Sequence, residues 1–332
     1  MEILILHPGG LGDIILSLPA ISLLRSQSRG ARITAAGNID HLAPLMGGYA
    51  ERVVSLSSIP LHRLYTPEPL PEEDIRFWRS YDRIISWTGA GSDAFIGKIR
   101  AVHPNAAIAS WHPELSETRH VSQLFIDSLG LEARSLEGAV SADILLESSI
   151  LREGEHWLAE HGWDCKDSLV ALHPGAGARE KRWPLDRFIE LARWLALRTG
   201  EKPLIMEGPA EIGLGKCVQQ ALHPGESILL ASASLKLLAA VLGQCKSFIG
   251  NDSGVAHLAA GLRIPSIVLF GPTLPQYWAP LGRDVITLRD STNCEACSVG
   301  GDKKHTCLSN ISANQTIEQL KIQLHRNGHF EK

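Results

Sequence analysis

Short, continuous apolar runs alternate with amphipathic stretches along this chain. The runs are rich in Ile, Leu and Val without polar alternation, as in strands that are buried on both faces of a parallel sheet. They predict strands at residues 2–7, 32–36, 52–56, 82–86, 106–109, 169–173, 203–206, 227–230, 247–250 and 266–270. Helical periodicity lies between them, for example at residues 184–198 and 234–242. This alternation predicts an α/β fold with doubly wound parallel sheets.

The pattern starts again half-way along the chain. A strand, a glycine-rich turn and a helix open the chain at residues 4–10, and the same order returns at residues 170–177. Two Rossmann-like domains, residues 1–160 and 161–332, account for this repetition, and a ligand is then expected in the cleft that they face. Residues 312–326 predict a final helix capped by Ser312, and Pro19 predicts a kink or restart in the first helix.

Composition supports two globular domains and narrows the class of protein. The 332 residues are 44% hydrophobic and 20% charged. A net charge of −4 argues against nucleic acid as a partner. No run approaches the roughly 20 apolar residues of a membrane span, and the first residues lack the basic region of a secretory signal. The sequence therefore predicts a cytoplasmic protein with mostly reduced cysteines.

The loop after the first strand contains Gly9, Gly10, Gly12 and Asp13. Glycines let a backbone approach a ligand closely. Asp13 is either a functional carboxylate or only the N-cap of the next helix, which is a common role for aspartate. The loop lacks the G-x-G-x-x-G pattern, and the chain contains no P-loop.

Two loops of the second half are candidates for anion binding. In the segment HPGAGAREKRWP at residues 173–184, a glycine turn precedes Arg179, Lys181 and Arg182, which suits a diphosphate or, equally, a solvated basic loop. In the segment at residues 249–261, amides at a helix start and the Ser253 hydroxyl suit an anion, although helix capping alone also explains these residues. The loop at residues 270–280 is rigid and aromatic, and either shapes a pocket or covers the sheet end.

A cysteine-containing segment near the end raises the question of a metal. Cys294 and Cys297 form one C-x-x-C, with His305 and Cys307 nearby. Such a set could hold zinc, but the second pair that would make the signal strong is missing. Packing of reduced thiols is the alternative, so the sequence predicts no metal site.

Taken together, these motifs resemble glycosyltransferase family 9, the lipopolysaccharide heptosyltransferases. The resemblance covers nearly the whole chain. It is carried by residues 11–13, 172–176, 181–184 and 208–211, and most strongly by residues 251–260 and 269–273. It implies the GT-B fold and inverting, cofactor-free transfer of heptose from ADP-heptose to the lipopolysaccharide inner core. A related glycolipid acceptor and peripheral contact with the cytoplasmic face of the inner membrane are compatible with it.

The resemblance also implies roles for individual residues. Asp13 would be the general base, Lys181 would neutralise the donor diphosphate, and Glu211 would contact the nucleoside. Gly10 and Gly12 would lie on the acceptor side, and the last helix would pack back on the first domain. The donor-binding set would comprise His173, Gly175, Lys181, Arg182, Glu211, Asp252, Ser253, Gly254, Val255 and His257. One departure is His7-Pro8, in place of the basic residue often found after the first strand.

Two other classes of function remain open from the residues. A sugar-nucleotide epimerase with a GT-B-like fold would share the fold and the donor but need no acceptor. A catalytically silent regulator would bind nucleotide without transfer. A dinucleotide-dependent dehydrogenase is disfavoured because the G-x-G-x-x-G fingerprint is absent.

Overall fold

A computed structural model of the chain describes residues 1–110, 112, 118–130, 142–290 and 306–326. The chain divides into two compact units, Met1–Ala142 and Asp143–Lys332. Each unit contains one parallel sheet with helices between its strands. The predicted pair of parallel-sheet α/β domains is therefore confirmed. In the described residues, no helix combines the length and the apolar character that a bilayer crossing requires.

The first unit contains a five-stranded parallel sheet in the order β3-β2-β1-β4-β5. Its strands are β1 (Glu2–His7), β2 (Arg32–Gly37), β3 (Arg52–Ser55), β4 (Arg83–Ser86) and β5 (Ala107–Ile108). Its helices are α1 (Leu11–Gln27), α2 (Ile39–Leu45), α3 (Glu72–Arg79), α4 (Asp93–Val102) and α5 (Val121–Asp127). The strand order reverses between β1 and β4, so the switch point of this sheet lies beside the loop that follows β1.

The central position of β1 follows from its side chains. Ile3, Leu4, Ile5 and Leu6 are fully buried, as a strand with neighbours on both edges and helices on both faces requires. Helix α1 is buried around most of its circumference and continues through Pro19. The predicted restart at Pro19 is therefore wrong, because surrounding packing holds a helix that loses one backbone hydrogen bond at this residue.

The second unit contains a six-stranded parallel sheet in the order β11-β10-β9-β6-β7-β8. Its strands are β6 (Ser168–His173), β7 (Glu201–Glu207), β8 (Ile228–Ala231), β9 (Ser247–Asn251), β10 (Ser266–Phe270) and β11 (Val285–Arg289). Its helices are α6 (Ser148–Glu160), α7 (Leu185–Arg198), α8 (Leu214–Gln220), α9 (Leu235–Leu242), α10 (Gly254–Gly261), α11 (Pro275–Trp278) and α12 (Ala313–Arg326). Here the switch point falls between β6 and β9.

Helices at the two ends of the second unit both pack on elements of that unit. Helix α6, which the sequence predicted to precede the boundary near residue 160, packs on α9 and lies within the second unit. Helix α12 packs on α7 and β10 of the same unit, with Leu320 and Leu324 buried, and its packing on the first domain stays a prediction. The apolar faces of the two helices explain this packing, because each face covers buried residues of the second unit.

Candidate active site

Strands β6 and β9 end side by side at the switch point of the second unit. His173 pairs with Gly250 in the parallel register, so the loops that follow both strands emerge at one edge of the sheet. Two glycines make this approach possible. A Cβ on Gly250 would lie 3.1 Å from Cβ of His173, and one on Gly175 would lie 2.1 Å from the carboxyl carbon of Glu211. The sequence needs glycine at these positions because side-chain atoms already occupy the space.

Asn251 joins three segments at this edge. Its side chain is fully buried, and its amide nitrogen donates to the carbonyl oxygens of Pro174 (2.9 Å) and Gly175 (3.1 Å). Its Oδ1 accepts from the backbone N–H of Trp183 at 2.8 Å. All three contacts are buried, so the amide fixes the glycine turn and the end of the basic loop relative to β9.

Lys181 and Asp252 form an ion pair beside Asn251. Lys181 Nζ lies 2.8 Å from Asp252 Oδ2, and the two side chains are 23% and 5% exposed. The hydroxyl of Thr273 also donates to Asp252 Oδ2, at 2.5 Å. The carboxylate therefore holds both groups, and the partly exposed ammonium of Lys181 is presented at the carboxyl ends of the strands with its position fixed.

Glu211, His173 and Ser253 form a hydrogen-bonded chain from the loop after β7 to the start of α10. His173 Nε2 lies 3.0 Å from Glu211 Oε1, and His173 Nδ1 lies 3.3 Å from Ser253 Oγ. Glu211 Oε1 also accepts from the Gly208 N–H at 2.9 Å. Burial by itself raises the pKa of Glu211. The hydrogen bond from His173, the attraction of the charged form of that imidazole, the Gly208 N–H and the charge of Arg182 together outweigh burial and lower that pKa.

Helix α10 begins at this edge with donors that remain available. Ser253 is its N-cap residue, but its side chain makes no capping bond and turns to His173 instead. The amides of Gly254 and Val255 donate to no acceptor within the described residues, as expected for the first turn of a helix. Both residues are partly exposed, so these N–H groups form an anion-binding helix start. His257, one turn further, is 4% exposed.

Arg182 has a structural role in the described structure. Its guanidinium donates to the carbonyl oxygen of Ala176, at 3.2 Å from Nε and 3.1 Å from Nη2, and to that of Ala210 at 3.1 Å. These bonds connect the loop after β6 with the loop after β7. Lys181 therefore differs from Arg182 among the cations predicted to bind the diphosphate. Its ammonium is held by a carboxylate, whereas the Arg182 guanidinium is held by backbone carbonyls.

The switch point of the first unit positions Asp13. Helix α1 has Gly10 as its N-cap, and Asp13 Oδ2 accepts from the Gly10 N–H at 2.8 Å. Asp13 is thus the third residue of the helix and not its N-cap, although it does cap the helix start. A Cβ on Gly9 would lie 2.5 Å from Cβ of Asp13, so the glycine keeps the loop against this side chain. Asp13 and Gly12 are partly exposed.

The buried side chain of His7 contacts the same loop. Its ring is buried against Trp87 and Phe125, with centroids 5.2 and 5.5 Å away. His7 Nδ1 accepts from the Gly9 N–H at 3.1 Å, which fixes the neutral tautomer with the hydrogen on Nε2. Burial lowers the pKa of His7 from 6.5 to about 4.

This buried histidine predicts an acid-sensitive first unit. Above pH 6.5 His7 is neutral whether the unit is folded or unfolded, whereas between pH 6.5 and 4 only the unfolded chain binds the proton. The free energy of unfolding should therefore fall by roughly 3 kcal/mol across this window. Urea unfolding from pH 7 to pH 4 measures it, and His7→Gln should flatten that dependence. The exposed control His62→Gln should keep the wild-type slope, and parallel slopes for wild type and His7→Gln would contradict the assignment.

Comparison with known proteins identifies the family. Residues 113–307 match the sequence profile of glycosyltransferase family 9 (heptosyltransferase). The chain belongs to this family. It is 27% identical to lipopolysaccharide heptosyltransferase 2 of Salmonella typhimurium over 167 residues, which is 48% of each chain, so the matched part spans about half the length of that relative. It is 23% identical to lipopolysaccharide heptosyltransferase 1 of the same organism over 322 residues, 91% of this chain and 99% of the relative.

A solved structure shows the family fold in this chain. The Escherichia coli ADP-heptose lipopolysaccharide heptosyltransferase II superposes with a TM-score of 0.76 at 17% identity, over 99% of this chain and 100% of that one. The predicted resemblance to family 9 and the predicted fold class are thus confirmed.

Most of the residues predicted for the donor lie together at the edge formed by β6 and β9. They are His173, Gly175, Lys181, Glu211, Asp252, Ser253, Gly254 and Val255. Their roles in this family member stay predictions. Asn251 and Thr273 were not among the predicted site residues, although each lies in a motif that carried the family resemblance.

The cysteine-containing segment adds no information on metals. Cys294, Cys297 and His305 lie outside the described residues, and Cys307 is buried. Within the described ranges, no three His, Cys, Asp or Glu side chains form a group that could hold a metal ion. The predicted absence of a metal stays a prediction.

Proposed function

We propose that this family 9 member is an inverting glycosyltransferase that transfers heptose from ADP-heptose to the inner core of lipopolysaccharide. One observation carries the proposal. At the switch point of the second unit, the Lys181 ammonium lies on the same edge as the open amides of Gly254 and Val255 and the hydroxyl of Ser253. A cation and a helix start with unpaired amides are the groups that stabilise a diphosphate.

The chemical step that this site supports is displacement at the anomeric carbon. The acceptor hydroxyl oxygen forms a bond to that carbon while the bond from the carbon to the diphosphate oxygen breaks, and ADP leaves with the electron pair. In this proposal Asp13 takes the proton of the attacking hydroxyl, and Lys181 with the α10 amides stabilises the charge on ADP. Such stabilisation contributes most to rate when the donors are already fixed, and Asp252 and Asn251 fix them here.

The identity of the donor rests on the relatives. Both Salmonella relatives are lipopolysaccharide heptosyltransferases, and the E. coli structure with the matching fold is an ADP-heptose lipopolysaccharide heptosyltransferase. We propose that the loop after β7 binds the nucleoside, at the point where the Glu211 side chain lies against Gly175. The acceptor that we propose is the lipopolysaccharide core, a glycolipid whose free hydroxyl is deprotonated during the attack.

ADP should raise the melting temperature of the protein more than UDP or GDP does, in the presence of EDTA. A ligand at one hundred times its dissociation constant adds about 2.7 kcal/mol to the free energy of unfolding. A thermal-shift titration with the three nucleotides measures this difference. Equal shifts for all three would remove adenine as the recognised base, and a shift that needs magnesium would contradict recognition by Lys181 and amides alone.

Transfer itself is tested with ADP-heptose and heptose-free inner-core acceptor, with ADP release and the glycosylated product measured together. The expected result is equimolar ADP and product with inverted anomeric configuration. Epimerised donor in the absence of acceptor would establish the epimerase instead. ADP binding without turnover of ADP-heptose on any inner-core acceptor would favour the silent regulator.

A further inference from the structure

His173 is buried between two oxygen atoms, and both of its ring nitrogens are engaged. Nε2 faces the carboxylate of Glu211 at 3.0 Å, and Nδ1 faces the hydroxyl of Ser253 at 3.3 Å. A neutral imidazole has one N–H and one acceptor nitrogen. With the hydrogen on Nε2 directed at the carboxylate, Nδ1 must accept the hydroxyl hydrogen of Ser253. The Ser253 oxygen then offers only lone pairs to a ligand.

Protonation of His173 reverses this hydrogen bond. Both ring nitrogens then donate, so Ser253 Oγ accepts from Nδ1–H and its own hydrogen is released. That hydrogen can point towards an oxyanion at the start of α10. The direction of one hydrogen bond therefore decides whether Ser253 repels or binds a phosphate oxygen.

The charges around His173 favour a proton there once a further anion arrives. The pKa of Glu211 is lowered despite burial, so its carboxylate is negatively charged on the Nε2 side of His173. Arg182, whose charge helps to lower that pKa, is held by two backbone carbonyls. On β7, the Glu207 carboxylate accepts from the N–H groups of Gly215 and Lys216 and thus serves the start of α8.

On the Nδ1 side, the charged groups neutralise each other in the structure. Asp252 is paired with Lys181 and also accepts from Thr273. His257 is the other titratable group of α10 and lies one turn beyond Ser253. A bound diphosphate would add at least two negative charges next to Ser253. His173 would then lie between two anions, which stabilises the imidazolium.

We propose that His173 is a positioning residue that takes up a proton when the diphosphate binds and thereby turns the Ser253 hydroxyl into a hydrogen-bond donor. The inference rests on the proposed function, in which the diphosphate of the donor binds at the Gly254 and Val255 amides. It adds that nucleotide binding is coupled to proton uptake. ADP carries more charge than the intact donor, so the coupling stabilises the leaving group during transfer.

Isothermal titration of the protein with ADP tests the coupling. The titration is done at pH 8 in buffers of different ionisation enthalpy, where a terminal phosphate with a second pKa near 6 is already ionised. Wild type should take up a substantial fraction of one proton per ADP bound. Its dissociation constant should rise with pH, by up to ~tenfold per pH unit.

Two variants and one control assign the proton to His173. His173→Gln keeps one donor for Glu211 and one acceptor for Ser253 but cannot titrate, so proton uptake and the pH dependence of ADP affinity should both disappear. Glu211→Gln removes that negative charge with the same side-chain volume, and proton uptake should drop strongly. The exposed control His161→Gln should behave as wild type. Melting temperatures establish whether each variant is folded. If His173→Gln does not fold, proton uptake by Glu211→Gln decides the test.

Proton uptake that persists in His173→Gln, or in Glu211→Gln when His173→Gln does not fold, would overturn the inference. ADP binding to wild type without proton uptake would also overturn it, while leaving the proposed transferase intact. Failure of wild type to bind ADP at any pH from 6 to 9 would remove the proposed donor and the inference together.

Discussion

Asp13→Asn should slow heptosyl transfer by about 10²–10⁴, which is the usual contribution of a general base. The melting temperature and the ADP affinity should stay near their wild-type values. Asp13 Oδ2 now accepts from the Gly10 N–H at 2.8 Å, and an asparagine carbonyl can accept the same bond. The variant therefore keeps the cap at the start of α1 and loses only the basic oxygen.

A second substitution separates the base from the cap. Asp13→Ala removes both, so it should lower the free energy of unfolding by about 1 kcal/mol in addition to slowing transfer. Asp40→Asn, in the first turn of α2 of the same unit, is the matched control and should leave transfer unchanged. Near-normal transfer by Asp13→Asn would show that the carboxylate only caps the helix.

The fold could be predicted because the strands are buried on both faces. β1 and β10 begin and end where their apolar runs do, since nearly every side chain in them is buried. β11 was missed because it is an edge strand whose residues are all half-buried, and Thr287 and Arg289 interrupt its apolar run. The cap of α12 was predicted correctly, because Ser312 and Gln315 bond each other's backbone N–H groups in a local motif.

The sequence indicated where the candidate site lies but not which of its residues contact one another. Polar and glycine residues directly after buried strands indicate the edge where ligands bind, and this rule located the residues after β1, β6 and β9. The contacts among them join residues far apart in the chain, as in the bond from Trp183 to Asn251. Charge alone also could not distinguish Lys181 from Arg182, because a pattern of cations does not show which one is held by backbone carbonyls.

Lys181→Met should weaken ADP binding by about 10–100-fold and slow transfer by a similar factor. The estimate follows from a charge-assisted hydrogen bond, which contributes about 1.5–3 kcal/mol. Methionine keeps the length and the apolar stem of the side chain, so the variant removes little beyond the charge and its donors. Lys181→Arg should restore the affinity only in part, because a planar guanidinium does not have the donor geometry of an ammonium.

The same substitution should also lower stability, because the 5% exposed carboxylate of Asp252 loses its cation and, among the described residues, keeps the Thr273 hydroxyl as its side-chain partner. The double variant Lys181→Met/Asp252→Asn removes that unpaired charge. It should recover the melting temperature without recovering ADP affinity, which separates the ligand contact from the ion pair. Lys236→Met, which breaks an exposed ion pair with Glu153 in the same unit, is the control for loss of one positive charge. Unchanged ADP affinity in Lys181→Met would transfer the role to Arg179, since Arg182 is held by backbone carbonyls.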